Sequence, residues 1–151
     1  MKPATLFILF LTMALCSCSS DWDDEIAKLN DQKAKWESNE PAAYEYQYTH
    51  NCFCVPEYVG PFKVTVENSQ VVKVVAVNSI DDTWMEITPA AEHRIDALFQ
   101  DIKGHLKRDP DSATVTYDAI YGFPAEAYFD MEENSVDEEW GLSITDFKVL
   151  N

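Results

Sequence analysis

The feature that most restricts this chain is a run in which every second residue is a tyrosine, a histidine or a cysteine. Tyr44, Tyr46, Tyr48, His50, Cys52 and Cys54 alternate with Glu45, Gln47, Thr49, Asn51 and Phe53. Side chains alternate between two faces only in extended backbone, so residues 43–54 are expected to form a strand. Three tyrosines add high strand propensity. Their face is expected to pack under the second of two helices rather than stay open as an aromatic platform.

The flanking sequence supplies the partners. Ser20-Asp21-Trp22-Asp23 resembles a capping box, and Trp22, Ile26, Leu29 and Trp36 then recur at helical spacing up to Asn39-Glu40-Pro41. Residues 55–61 hold two prolines and Gly60 and read as a loop. Residues 62–66 and 71–77 read as a hairpin around Glu67-Asn68-Ser69-Gln70, a turn without the usual glycine. Thr88-Pro89 reads as the N-cap and first position of a second helix, with Ile95, Leu98, Phe99, Ile102 and Leu106 on one face. Lys107 and Arg108 suit its C-terminus, Pro110 stops it, and Gly104 inside it costs about 1 kcal/mol relative to alanine. Three strands follow at residues 113–117, 125–130 and 140–149. In the last of them the apolar parity slips between Ile144 and Phe147, which predicts a bulge near Asp146. The order helix, three strands, helix, three strands predicts an α+β fold: a two-layer sandwich of mainly antiparallel sheet with two covering helices.

The N-terminus sets the compartment. Lys2 is followed by an apolar run from Leu6 to Leu15, too short to span a bilayer as a mature helix. It ends in Leu15-Cys16-Ser17-Cys18, which resembles the lipobox of bacterial lipoproteins. Residues 1–17 are thus expected to be a signal peptide, residues 18–20 a lipidated anchor and short tether, and residues 21–151 one α+β domain. Cys16 fits less well, because Leu15 would then fill the small-residue position. An ordinary signal peptide cut nearby would instead leave Cys18 as a free thiol. Ser19 after the cysteine, rather than Asp, favours sorting to the outer membrane, with the periplasmic face as the expected address. The net charge of -16 opposes binding to nucleic acid. Acidity leaves room for cationic partners or divalent metal, and it also serves plain solubility.

With Cys16 removed and Cys18 lipidated, the domain keeps Cys52 and Cys54. An oxidising envelope favours a disulfide between them. A straight strand would hold their Cα atoms about 6.6 Å apart, near the upper limit for the bond, so a local kink is required, and Pro56 makes one plausible. A thiol-exchange role has weaker support, because no C-x-x-C motif is present. His50, Cys52 and Cys54 share a face and would suit Zn or Cu(I), yet His50 and Cys54 lie about 13 Å apart along a straight strand. No cofactor is expected. The acidic stretch from Asp130 to Glu139 offers oxygen ligands for calcium but lacks the glycine of an EF-hand loop. His93 and His105 read as surface or rim residues of the second helix. No G-x-S-x-G, H-E-x-x-H or glycine-rich phosphate loop occurs, so a non-enzymatic role is expected.

Trp36, Pro41, Tyr44, Tyr46, the Cys52-Phe53-Cys54 triplet with Pro56, Tyr117-Asp118, Tyr121-Gly122-Phe123-Pro124, Asp130 and Asp137-Glu138-Glu139 together resemble a family of uncharacterised bacterial lipoproteins. It is the one catalogued as domain of unknown function 6174. The resemblance runs from about Trp36 to Asn151 and carries no activity with it. Ser69 departs from the glycine expected at the hairpin turn, and the family pattern does not require histidine at the His50 position. The resulting expectation is a membrane-held module that binds an envelope protein or small ligand, or serves a structural role. The alternative is a thiol or metal site at Cys52 and Cys54.

Overall fold

The computed structural model of the protein describes residues 22–77 and 84–150. The expected signal peptide, Cys18 and its tether lie outside them. Helix α1 covers Asp23–Asn39, followed by strand β1 (Ala43–Cys52), a one-turn helix α2 (Pro56–Val59), and strands β2 (Phe62–Glu67), β3 (Gln70–Val77) and β4 (Trp84–Ile87). A 3-10 turn at Ala91–His93 leads into α3 (Ile95–Leu106), and β5 (Ser112–Tyr117), β6 (Pro124–Asp130) and β7 (Trp140–Val149) complete the chain. All seven strands form one antiparallel sheet in the order β4-β3-β2-β1-β7-β6-β5. The tyrosine strand is therefore central, flanked by β2 and β7. An α+β sandwich is what the sequence predicts. The element pattern differs in two details: β4 adds a fourth strand to the first group, and the loop after β1 contains α2.

Helix α1 begins with Asp23, Asp24 and Glu25, whose carboxylates suit the positive end of the helix dipole. It buries Leu29 and Trp36 and stops before Pro41. Both α1 and α3 lie on the tyrosine face of the sheet, and the core between the layers includes Trp36, Tyr44, Tyr46, Phe99, Phe129 and Leu142. On the other face of β1 and β2, Glu45, Gln47, Thr49, Lys63 and Thr65 reach solvent. The bulge near Asp146 is present. Asp146 has φ +54°, β7 holds one more residue than β1 between the Glu45 and Gln47 pairings, and the Gln47 side-chain amide donates to the Asp146 carboxylate at 2.5 Å.

The hairpin turn works without glycine. Asn68 and Ser69 both take left-handed backbone (φ 48° and 58°), the pair of angles that a tight hairpin turn needs. The Ser69 hydroxyl donates to Glu40 at 3.0 Å, and the same carboxylate accepts from the Tyr44 hydroxyl at 2.9 Å. Glu40 thus ties the end of α1 to β1 and to the hairpin. At the other hairpin, Gly122 has φ +87°, and a Cβ there would lie 2.9 Å from the Gln32 carbonyl oxygen of α1. Only glycine lets this turn approach the helix so closely. Phe123, next in the chain, stacks on Phe147 at 4.6 Å.

The expected start of the second helix is corrected. Thr88 and Pro89 do not begin it; α3 starts at Ile95 after the 3-10 turn, with Arg94 at the cap position. The local cap signal loses to tertiary contacts. The segment before Ile95 is anchored by hydrogen bonds from β1 to His93, and the Arg94 guanidinium pairs with Asp96 and lies 3.8 Å from Glu40.

Candidate functional site

The tyrosine face of β1 is covered in two ways. Around Tyr44 it meets Trp36 of α1. Further along, at Tyr48 and His50, it meets the 91–93 turn and α3 instead, and this cover is incomplete. A cleft of about 400 Å³ opens here. Tyr48, Phe62, Tyr58 and Ile87 form its walls, and His50 and His93 face it from within. Thr88, Glu92 and Asp101, all exposed, stand at its rim.

His93 is the most constrained of these groups. The Tyr46 hydroxyl donates to its backbone carbonyl, and the Tyr48 hydroxyl lies 2.6 Å from its Nδ1. Burial pushes the Tyr48 phenol far above its ordinary range and the His93 imidazole below its own. A protonated phenol and a neutral ring share one hydrogen bond here, whose direction follows the His93 tautomer. Phe62 closes the group, stacking on Tyr48 at 4.9 Å and approaching His93 at 5.7 Å. His93 is therefore buried, which corrects its reading as a rim residue. The reason is its place on the 3-10 turn, directly over β1.

His50 lies between Tyr48 (ring centroids 5.4 Å apart) and Trp140 (5.6 Å). Its ring hydrogen-bonds to the backbone of Tyr58, while Nε2 is buried with no hydrogen-bond partner among the described residues. Burial holds this imidazole below its ordinary range, against the opposing pull of the Asp101 carboxylate. His105 is a half-buried rim residue that stacks on Trp140 at 4.4 Å and Phe129 at 5.2 Å. It sits outside the cleft.

The C-x-C motif follows His50 at the end of β1. Cys52 and Cys54 are joined, with Sγ–Sγ 2.00 Å and Cα–Cα 5.2 Å, shorter than a straight strand would allow. Strand β1 accordingly ends at Cys52, two residues before the expected limit. The chain then folds into α2, where the Tyr58 amide donates to the Val55 carbonyl at 2.9 Å. This reversal brings Tyr58 back to the cleft wall. With both sulfurs bonded to each other, His50, Cys52 and Cys54 do not form a joint ligand set, and among the described residues no group of three or more His, Cys, Asp or Glu side chains is placed to hold a metal ion. In the acidic connection before β7, Glu138 accepts from the Glu132 amide at 2.8 Å, and Asp111 accepts from the Glu133 amide at 2.7 Å. These carboxylates serve the loop's own backbone.

A larger groove of about 460 Å³ runs between α1 and α3, beside Lys33, Lys103 and Lys107. Lys33 pairs with Glu37, and Lys103 donates to Asn30 at 2.8 Å. It is a solvated seam between helices, whereas the smaller cleft has aromatic walls and convergent polar groups, the usual make-up of a ligand site. Of the cleft residues Tyr48 and His50 stood out in the sequence, as part of the tyrosine face and as a candidate metal ligand. Tyr58, Phe62, Glu92, His93 and Asp101 come from α2, β2, the 3-10 turn and α3, and no spacing along the chain joins them.

No curated protein and no solved structure matches the chain. A family model described as "Family of unknown function (DUF6174)" matches residues 28–149, from within α1 to the end of β7, and includes the C-x-C motif and the cleft. The chain belongs to this family.

Proposed function

We propose that the mature chain is an envelope lipoprotein, held through lipid on Cys18 at the periplasmic face of the outer membrane, whose domain is a non-enzymatic binding module. The observation that carries the binding role is the cleft of about 400 Å³ at the open end of the tyrosine ladder. Its walls are rings and an isoleucine, and its inner polar groups are two imidazoles held neutral by burial. His93 Nδ1 is occupied by Tyr48, so that imidazole is anchored rather than poised against a nucleophile. Such a site suits a small ligand or a side chain of an envelope protein. The acidic net charge disfavours nucleic acid.

The anchor rests on Leu15-Cys16-Ser17-Cys18 and the apolar run before it. The joined Cys52 and Cys54 fit an exported protein, since such pairs persist in oxidising compartments. A thiol or metal role for the pair has less support, because it would first require reduction of the bond. Fractionation of cells expressing the full chain tests the anchor. The native chain is expected in the membrane fraction with an acylated N-terminal Cys18, and Cys18→Ser in the soluble fraction. Recovery of Cys18→Ser in membranes, or an unmodified mature N-terminus, would refute it.

A further inference from the structure

We infer that the cleft beside β1 is selective for an organic monocation, an ammonium or guanidinium group carried on an apolar body. This deepens the binding role proposed above and rests on it.

The free polar groups of the cleft are acceptors. One ring nitrogen of His50 is engaged with the Tyr58 backbone; a neutral imidazole that donates there is left with a lone pair on Nε2. That atom is buried and lacks a donor among the described residues. Glu92 and Asp101 at the mouth are carboxylates, which can only accept. Among the described residues neither is in an ion pair with a lysine or arginine: Arg94, two residues from Glu92, is turned to Asp96 and Glu40, and Lys103, two residues from Asp101, donates to Asn30. The cleft thus offers several acceptors and two negative charges, with no lysine or arginine among the groups lining it. A ligand carboxylate or phosphate would meet repulsion at the rim and find no cation within. An ammonium or guanidinium supplies donors for these acceptors and opposes the carboxylate charge.

The walls specify the remainder of the ligand. Tyr48, Tyr58 and Phe62 present rings, and Ile87 adds an aliphatic side. Ring faces attract cations as well as apolar groups, which favours an amphiphilic cation over a hydrated metal ion. Position also separates this site from the general acidity of the surface. Surface carboxylates attract any cation through a field that salt screens within about 8 Å at physiological ionic strength. The cleft adds apolar contact and ring faces, which salt does not remove.

The histidines provide the readout, because the chain has 3 in all. His50 and His93 line the cleft, and His105 lies outside it. The test titrates the mature chain carrying Cys18→Ser, which lacks only the lipid, with hexylammonium, hexanol or hexanoate in about 150 mM salt. Imidazole C–H resonances are followed by NMR. Hexylammonium is expected to shift the His50 and His93 signals saturably with little change at His105, at least tenfold more tightly than hexanol; hexanoate should leave all three unmoved. Glu92→Gln combined with Asp101→Asn should weaken hexylammonium about tenfold, while Glu126→Gln, on the opposite face of the sheet, should not. Hexanoate or hexanol binding as tightly as hexylammonium would overturn the cation selectivity and leave the binding role standing. Failure of all three probes would count against the binding role itself. Hexylammonium shifts that vanish with salt, or that move His105 equally, would reduce the effect to surface charge and overturn the inference.

Discussion

The two ends of the tyrosine face of β1 have the same sequence pattern and opposite fates. At one end Tyr44 is sealed: Trp36 meets it edge-on at 5.3 Å, and Phe147 tilts against it at 5.5 Å. Phe123 and Phe147 complete a cluster in which Trp36 has no exposed surface. At the other end Tyr48 and His50 face a cleft. The difference lies in what crosses the strand. A full helix with a tryptophan, wedged against Gly122, covers the first end; a single 3-10 turn and the side of α3 cover the second. Alternation thus settles which face is buried, and the covering element settles whether that burial is complete.

The closed end should dominate stability. Trp36→Ala is expected to lower the unfolding free energy by about 3–5 kcal/mol, read from denaturant midpoints, because it opens a large cavity among packed rings. Tyr58→Ala, at a position 67% exposed in the cleft wall, should change it by no more than about 0.5 kcal/mol. Comparable losses for the two would mean that the cleft wall is as structural as the sealed cluster, and the contrast would fail.

The disulfide ranks next. It closes a ring of only three residues, so in the chain-entropy view its removal should cost less than about 2 kcal/mol. Replacing both cysteines by alanine should therefore leave a folded chain with a modestly lower midpoint. Its larger effect should be on the position of Tyr58, read as weaker binding of hexylammonium in the cleft. A loss as large as that of Trp36→Ala would move the C-x-C motif from the open end's periphery to the core of its stability.

These contrasts also explain which parts were legible in the sequence. The central strand, the bulge at Asp146 and the apolar face of α3 were readable because each is a local period imposed by burial on one side. Gly122 was readable as a turn residue, while its close approach to Gln32 depends on a helix nearly ninety residues away in the chain. Thr88-Pro89 misled because a good cap signal lies seven residues before the point where contacts with β1 let the helix begin. His93 was misplaced for the same reason: its burial comes from Tyr46 and Tyr48, which helical spacing around residue 93 does not reveal. Strand β4, four residues long, is too short for its alternation to stand out. The cleft is the sum of such non-local placements, and so only Tyr48 and His50, both on β1, pointed to it.

The smallest expected effect divides the two ends by pH. All three histidines lie in the half of the molecule away from Trp36: His50 and His93 line the cleft, and His105 packs on Trp140, whose backbone pairs with Cys52. Each imidazole is held below 6.5 by burial, opposed at His50 by Asp101 and at His93 by Glu92, and reinforced at His105 by Arg108. Below pH 6.5 the unfolded chain takes up protons that the folded chain refuses, so stability is fully present above that value and falls as pH drops toward the folded pKa values. The raised carboxyls of Asp101 and Glu138 act in the opposite sense in windows that begin at their ordinary values of 3.8 and 4.5 and extend upward. Because His50 and His105 are only half-buried, solvent screening keeps the change small beside that of Trp36→Ala. Native-state hydrogen exchange at about pH 7.5 and about pH 5.5, corrected for intrinsic rates, locates it. Protection should fall first around Tyr48–Cys52 and α3 while Tyr44 and the C-terminal half of α1 hold, and His93→Gln should flatten the dependence. A uniform loss, or one that begins at Trp36, would mean that the two ends open as a single unit and that the cleft is not an independently yielding part of the fold.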